Sequence, residues 1–576
     1  MSESFKQVFY KKSSQKLLLI FLAIYFLLNV FQAYFTGLHA DEAYYWVYSQ
    51  FLDWGYFDHP PMVAIFIKFG HAIIQNTLGV RLLTISTHIL SIYVLWIVVK
   101  KYTDNLKAFI ILFSAVLMFQ VYAFTTTPDA PLFFFSVLFL YSYQIYVKED
   151  KLKWALLLGL ICAALLFSKY HGLLLIFFVL ISNLKLFTRR SFYVTIILAC
   201  VLFSPHIYWQ YAHGYPSLYY HLIDRSASPY ESEYTWMYFV NQLLMMGPLV
   251  GWLFFYYGYQ LKAKEDLFLR SLKFVTYGFF IFFFISTFKG EVQAQWPLIE
   301  YIALFILGCV YVGQNPRLFS KFKWLFGANI FLILLARVVL MGIIPDTKKL
   351  PFVVDFHGYD VWAKQIEKVA DGHPVLFLDG FQKASYYNYY TQTLNGVAYN
   401  SFYYRRTQYD LWPLEEQIQH QKVLLVEPGE KQKNNQQNIE TIKGVYHSIW
   451  LDSVRFYPKI NFEPVDFTKE WKPNEVKEIS FIMSNPYGHA VNFSDAHEKW
   501  TCSFLYGFLK DGEVFSVQEV EKNLIPMELT AKAKKTVKLK IKAPAKAGNY
   551  KLFLSVKTAP FRGTRNSKMM SIKVNP

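Results

Sequence analysis

The sequence predicts a polytopic α-helical membrane protein with about eleven spans, followed by a small α/β unit and an immunoglobulin-like β-sandwich. Three observations carry that reading. Hydrophobic residues make up 54% of the 576-residue chain, with 55 Phe and 43 Tyr, a load seldom found in a water-soluble chain. Long apolar runs recur from Lys16 to about Ile344, each long enough to cross a bilayer. Beyond Pro345 charges become dense and the apolar runs shrink to strand length. The expected boundaries are 1–345 for the membrane domain, 346–458 for the α/β unit and 459–576 for the sandwich.

The expected spans are 17–36, 81–100, 107–124, 131–147, 153–169, 172–187, 190–209, 236–258, 271–288, 296–313 and 323–344. Loop charge tests them independently. With the N-terminus inside, the inside segments hold twenty Lys and Arg, and the outside segments with their helix ends hold five. That alternation is the positive-inside pattern. It places the C-terminal part and the loops around residues 37–80 on the extracytoplasmic side of a plasma (inner) membrane. It also accounts for much of the +17 net charge, so nucleic acid is not an expected partner. The first span follows Lys11, Lys12 and Lys16 and is too long for a signal-peptide core, so it is expected to remain as a helix. In the first outside loop, Met62–Phe69 and His71–Ile74 are apolar but short, which suggests an interfacial or re-entrant helix. Cys162, Cys200 and Cys309 lie in spans and Cys502 stands alone, with neither a disulfide framework nor a metal-knuckle spacing.

In the soluble part, Val375–Leu378 and Val423–Val426 read as buried strands, with a helix over Pro413–His420 between them. Further on, Val537, Leu539 and Ile541 alternate with lysines, and Tyr550, Leu552, Leu554 and Val556 alternate again after Ala547-Gly548-Asn549. That pattern reads as a hairpin of a sandwich.

Sorting the loops by side exposes the candidate site. The inside loops carry basic residues and little else. The outside loops carry His39-Ala40-Asp41-Glu42, Gly55-Tyr56-Phe57-Asp58-His59-Pro60-Pro61, Thr127-Pro128-Asp129-Ala130-Pro131, Ser168-Lys169-Tyr170-His171, His221 with Asp224-Arg225, and Lys289-Gly290-Glu291. Ionisable groups at a membrane face are costly unless they pair or work, so this clustering points to a function. Taken singly, Asp41 and Asp129 also read as helix caps and Lys169 as a snorkelling lysine.

An acid pair after the first span, a Gly-Tyr-Phe-Asp-His-Pro-Pro turn and a Pro-Asp-Ala-Pro at a later span resemble the bacterial relatives of protein O-mannosyltransferases. The aminoarabinose transferases belong to the same group, within glycosyltransferase superfamily C. The resemblance covers roughly residues 15–345 and is specific in the first 135. It implies a multi-span fold, an extracytoplasmic site and a polyprenyl-phosphate-linked sugar as donor. By it Asp41 matches the acid assigned as catalytic base, with Glu42 beside it; Asp129 is a further catalytic candidate among the outside loops. His59 stands where the aminoarabinose branch has a phosphate-contacting lysine in Glu-Lys-Pro-Pro, and Lys169 resembles a donor-phosphate lysine. His221 and Arg225 fall near a His-x-x-Arg-Phe pattern, with a spacing of four here and no Phe.

The residue types suit that chemistry. Glycosyl transfer needs a carboxylate to deprotonate the acceptor and to stabilise oxocarbenium-like charge. The leaving phosphate needs cations, for which His59, Lys169, Arg225 and Lys289 are candidates. Asp58 with His59 or His221 could instead hold a divalent metal ion, the one cofactor considered. The expected partners are the lipid-phosphate donor, membrane lipid, and an acceptor that is lipid A, protein or envelope glycan. The rival readings are a transporter or flippase, which predicts charges midway along spans and internal repeats, and a glycan ligase with a lipid-diphosphate donor.

Overall fold

The computed structural model describes residues 3–224, 230–431 and 436–576. The chain divides into two compact units, Met1–His357 and Gly358–Pro576.

The first unit is helical. Its helices are α1 (Glu3–Phe35), α2 (Ala40–Gln50), α3 (Met62–Ile73), α4 (Thr77–Lys100), α5 (Leu106–Ala115), α6 (Leu117–Val121), α7 (Asp129–Tyr146), α8 (Leu152–Ser168), α9 (Gly172–Ser182), α10 (Arg190–Ala212), α11 (Pro216–Tyr219), α12 (Ser232–Met246), α13 (Gly251–Gln260), α14 (Leu267–Ser286), α15 (Leu298–Gln314), α16 (Pro316–Leu340) and α17 (Pro351–Val354). Short polar residues start several of them. Asn76 accepts from the amides of Leu78 and Gly79 at the head of α4, and Asp266 accepts from Phe268 and Leu269 at the head of α14. Helix α4 packs against α1, α3 and α7, and α8 against α7 and α10, around one aromatic-rich core.

Every expected span coincides with a helix or a helix pair, but the helices are not all full crossings. Among the described residues, five are long and apolar enough to span by themselves: Ser14–Phe35, α4, α10, α14 and α16. Of the remaining spans, those over α8 and α15 are short helices of 17 residues, and three others are interrupted. The 107–124 span breaks at Val116 between α5 and α6. The 172–187 span holds only α9 and a 3-10 turn, Leu184–Thr188. The 236–258 span bends by 89° between α12 and α13. Gly247 makes that bend with a φ of +143°, a conformation open to glycine, and Pro248 follows it. In the first loop, the apolar stretch after Pro61 forms α3, as its composition predicts.

The second unit contains α18 (Tyr359–Ala370) and α19 (Gln382–Thr391) with a mixed sheet of β1 (Val375–Leu378), β2 (Gly396–Tyr399), β3 (Val423–Pro428), β4 (Gln437–Thr441) and β5 (Gly444–Leu451), in the order β2-β1-β3-β5-β4. The expected helix at 413–420 is a 3-10 turn, Pro413–Ile418. Strands β6 (Asn461–Pro464), β7 (Glu470–Trp471), β8 (Val476–Ser484), β9 (Val491–Asn492), β10 (Cys502–Lys510), β11 (Glu513–Glu519), β12 (Glu528–Leu529), β13 (Lys534–Lys542), β14 (Gly548–Thr558) and β15 (Met570–Val574) follow. Sheets β11-β10-β14-β15-β7 and β13-β8-β6 enclose one core, with Phe481, Leu539 and Ile541 from one facing Phe508, Leu552 and Leu554 from the other.

Two sequence expectations change here. Strands β13 and β14 are not a hairpin: β13 pairs with β8, and β14 pairs with β10 and β15 in the other sheet. Alternation fixes which face is apolar but not which strand lies alongside. The unit boundary also falls after His357 rather than Pro345, because the His357 ring bonds the Leu340 carbonyl at 2.8 Å and keeps that segment with α16. The α/β and sandwich parts form one unit. Phe402 packs against Leu505, Leu509 and Phe553, and its amide bonds the Gly563 carbonyl at 2.9 Å.

Candidate active site

His39 opens α2. Its Nδ1 accepts from the Asp41 amide at 3.3 Å, while the Glu42 carboxylate accepts from the His39 amide at 3.1 Å, a reciprocal cap. The capping role expected of the acids therefore belongs largely to His39. Asp41 keeps 42% of its side chain exposed, with an oxygen 3.7 Å from His39 Nδ1.

Glu42 is its opposite. Its side chain and that of Arg81 on α4 are both fully buried. Arg81 Nε donates to Oε1 at 2.8 Å and Nη2 to Oε2 at 2.5 Å, and the Thr126 amide adds a bond to Oε1 at 2.9 Å. The guanidinium also donates to the carbonyls of Ala33, Thr36 and Gly37 at the end of α1. With four donors already bound, Glu42 has no oxygen left to take a substrate proton. Its geometry is that of an anchor.

The Asp58-His59-Pro60-Pro61 turn lies beside α2. The Tyr48 hydroxyl donates to Asp58, whose residue is only 6% exposed. The turn closes through the Tyr56 amide and the His59 carbonyl at 3.1 Å. It is docked onto α10 and α11: Ser217 donates to the Tyr56 carbonyl at 2.8 Å, and Trp209 Nε1 donates to Asp53 at 2.7 Å. Gly55 permits the approach, since a Cβ there would lie 2.5 Å from the Trp209 ring. His221 brings Nε2 to 2.9 Å from the Asp58 carbonyl, and its ring lies 6.2 Å from that of His59.

Asp129, at the start of α7, and Lys169, just past α8, form a second buried ion pair. Lys169 Nζ lies 2.8 Å from both carboxylate oxygens, and the side chains are 7% and 5% exposed for the lysine and the acid. The Tyr122 hydroxyl reaches Asp129 at 3.5 Å. Tyr45 of α2 links the pieces. Burial pushes its phenol well above the usual range, and the negative charges of Asp41, Asp58 and Asp129 add to that.

The structure brings together Asp41, Asp58, His59, Asp129, Lys169 and His221, and sets Glu42 behind them. It does not bring in Lys289, which is exposed in the turn after α14. Arg225 lies outside the described residues. The metal reading of Asp58, His59 and His221 is not supported by geometry: the Asp58 carboxylate faces Tyr48 and His221 faces a backbone carbonyl. Among the described residues, no three His, Cys, Asp or Glu are grouped to hold an ion. Arg81, Tyr45 and Tyr48 were missed by sequence reading. Arg81 carries its own signal, since an arginine at the head of an apolar run calls for a partner.

Residues 58–209 match the family described as dolichyl-phosphate-mannose-protein mannosyltransferase. No curated protein matches the chain by sequence. Among solved structures, ArnT from Cupriavidus metallidurans in the apo state superposes with a TM-score of 0.58 at 13% identity, over 76% of this chain and 98% of that one. The same protein bound to undecaprenyl phosphate gives 0.56 at 11% identity, over 75% and 98%. These likenesses establish the fold, and the matched segment contains Asp58, Asp129 and Lys169. The chain is thus similar over one segment to the dolichyl-phosphate-mannose-protein mannosyltransferase family, and it shares the fold of ArnT.

Proposed function

We propose that the chain is an inverting transferase that moves a sugar from a polyprenyl monophosphate to a hydroxyl of an extracytoplasmic acceptor, with Asp41 as general base. The observation that carries the reading is one half-exposed carboxylate, Asp41, together with a buried ion pair of Lys169 and Asp129, both acids near enough to bear on the charge of the Tyr45 phenol. Asp41 takes the acceptor proton as the acceptor oxygen attacks the anomeric carbon. The bond from that carbon to the phosphate oxygen breaks on the opposite face, and polyprenyl phosphate leaves. Lys169 supplies positive charge for the leaving phosphate. Asp129 takes two of its three N–H groups and holds the ammonium in place, leaving the third for a phosphate oxygen. His59 and His221 flank the same turn as further donors.

The loop charge supports about eleven crossings with this site facing away from the cytoplasm, and an immunoglobulin-like sandwich on the same side. ArnT bound to undecaprenyl phosphate is a structure of the same fold holding the lipid that such a donor would leave. The acceptor class is envelope lipid, protein or glycan. Purified enzyme in nanodiscs, offered sugars on polyprenyl monophosphate or on a nucleotide, tests the reading. Transfer from the lipid alone is expected, and efficient turnover with a nucleotide sugar and no lipid would overturn it. A reporter fused after Asp346 should be active only when exported; activity of a cytoplasm-only reporter there would overturn the orientation.

A further inference from the structure

An open cleft of 730 Å³ lies in the Gly358–Pro576 unit, where the β2–β3 connection meets β10, β11 and the turn after β14. Its floor is apolar and buried, with Phe561 at 3% exposure, while its rim carries Tyr403, Gln518, Glu519, Lys557 and Arg562. Tyr403 is 52% exposed, a large aromatic surface left in solvent. The Arg562 guanidinium lies 5.2 Å from the centre of the Tyr403 ring. That cation–π contact holds the guanidinium beside the rim and leaves N–H groups to meet a carboxylate or phosphate. Among the described residues neither Arg562 nor Lys557 forms an ion pair, in a unit where many other lysines do.

The walls are held in place. The Phe402 amide bonds the Gly563 carbonyl at 2.9 Å, the Gly563 amide bonds the Tyr399 hydroxyl at 3.2 Å, and Arg565 Nε bonds the Phe402 carbonyl at 3.0 Å. Gly563 itself has a φ of +94°, and a Cβ there would lie 2.5 Å from Ser555 Oγ. A rim fixed in this way binds without first being ordered.

We propose that this cleft binds an anionic sugar residue of a glycan, through Arg562 and Lys557 for the acid group and Gln518, Glu519 and Tyr403 for the sugar body. The two cations outnumber the one acid, which selects a negative ligand. The amide and carboxylate supply both donors and acceptors for hydroxyl groups, and the aromatic rim suits the C–H face of a pyranose. The site deepens the transferase reading, on which its role as an acceptor-holding site rests, but glycan binding itself does not depend on catalysis.

The test is equilibrium binding to the full chain in nanodiscs. The probes are a mannotriose bearing a terminal phosphate ester, a trisaccharide ending in a uronic acid, and the unmodified mannotriose. The two anionic probes separate phosphate from carboxylate recognition, and saturable binding of at least one is expected, well above the neutral probe. Arg562→Ala should weaken it about tenfold or more, the scale of a lost charge-assisted contact, and Arg562→Lys should retain part of it. Tyr403→Ala, which frees the guanidinium, should weaken it less. Equal binding by wild type and Arg562→Ala would overturn the proposal, as would inorganic phosphate displacing the glycan as well as the glycan itself does. Hydrolysis of the polyprenyl-phosphate sugar in the absence of acceptor is measured alongside. If it persists while glycan binding fails, the cleft alone is refuted; glycan binding without any use of the lipid donor would refute the transferase reading alone.

Discussion

Glu42 accepts four hydrogen bonds inside a sealed contact with Arg81, whereas Asp41, the residue before it, holds a carboxylate 42% open with one histidine nearby. Consecutive residues on a helix point about 100° apart, so one turn of α2 sends one acid into the bundle and the other toward the cluster. Side-chain chemistry is nearly the same at the two positions, and environment separates them. A fully paired, dehydrated carboxylate is fixed in charge and place, which suits an anchor. A partly hydrated one can exchange a proton at small reorganisation, which suits a base. The Asp129–Lys169 pair lies between these extremes: it is buried like the anchor, but each partner has fewer contacts.

Substitutions at the two acids and around them sharpen this contrast. The largest effect is expected from Asp41→Asn, which keeps shape and removes charge. Single-turnover rate should fall ~10²–10⁴-fold, with thermal stability in detergent unchanged, since His39 supplies the cap. A stable, fully active Asp41→Asn enzyme would erase the functional difference between the two acids. Arg81→Ala comes next. It strands Glu42 in the interior and should cost ~3–5 kcal/mol, read as a lowered thermal midpoint and poor yield. The paired change of Arg81→Met with Glu42→Gln should recover part of that loss, because no unpartnered charge remains. If Arg81→Ala is as stable as wild type, the anchor reading fails.

Tyr48→Phe should be milder. It removes the hydroxyl donor to buried Asp58 and is expected to cost ~1–3 kcal/mol in thermal or denaturant unfolding, along with a shifted acceptor or donor affinity. The smallest effect is expected at Lys289. It is exposed and remote in contacts from the cluster, so Lys289→Ala should change stability by less than ~0.5 kcal/mol and leave donor turnover intact. A large loss of donor affinity there would show that the site extends to the turn after α14.

Much of this was legible in the sequence, and the misses share a cause. Loop sorting collected Asp41, Asp58, Asp129, Lys169 and His221 because each stands at a helix end where apolar runs stop, a local signal. What could not be read was the division of labour between Asp41 and Glu42, since Glu42's partners are a guanidinium 39 residues away and the Thr126 amide. The same limit explains the misassigned hairpin: β13 and β14 have the right alternation, but β13 finds its partner in β8. The bend between α12 and α13 is different, because its breaker, Gly247-Pro248, is local and stands inside the expected span.

The guanidinium of Arg81 joins the end of α1, the head of α2, the body of α4 and, through Glu42, the segment before α7. That junction imposes an order on biogenesis. As the chain leaves the ribosome, the Asp41 loop emerges before α4, and α2 gains its support only when α4 arrives. The Thr126 amide then completes the contact later still. A nascent chain arrested before Thr77 would hold both residues of the acid pair and still lack the guanidinium that anchors Glu42. The acid pair is therefore synthesised before the segments that hold it in place.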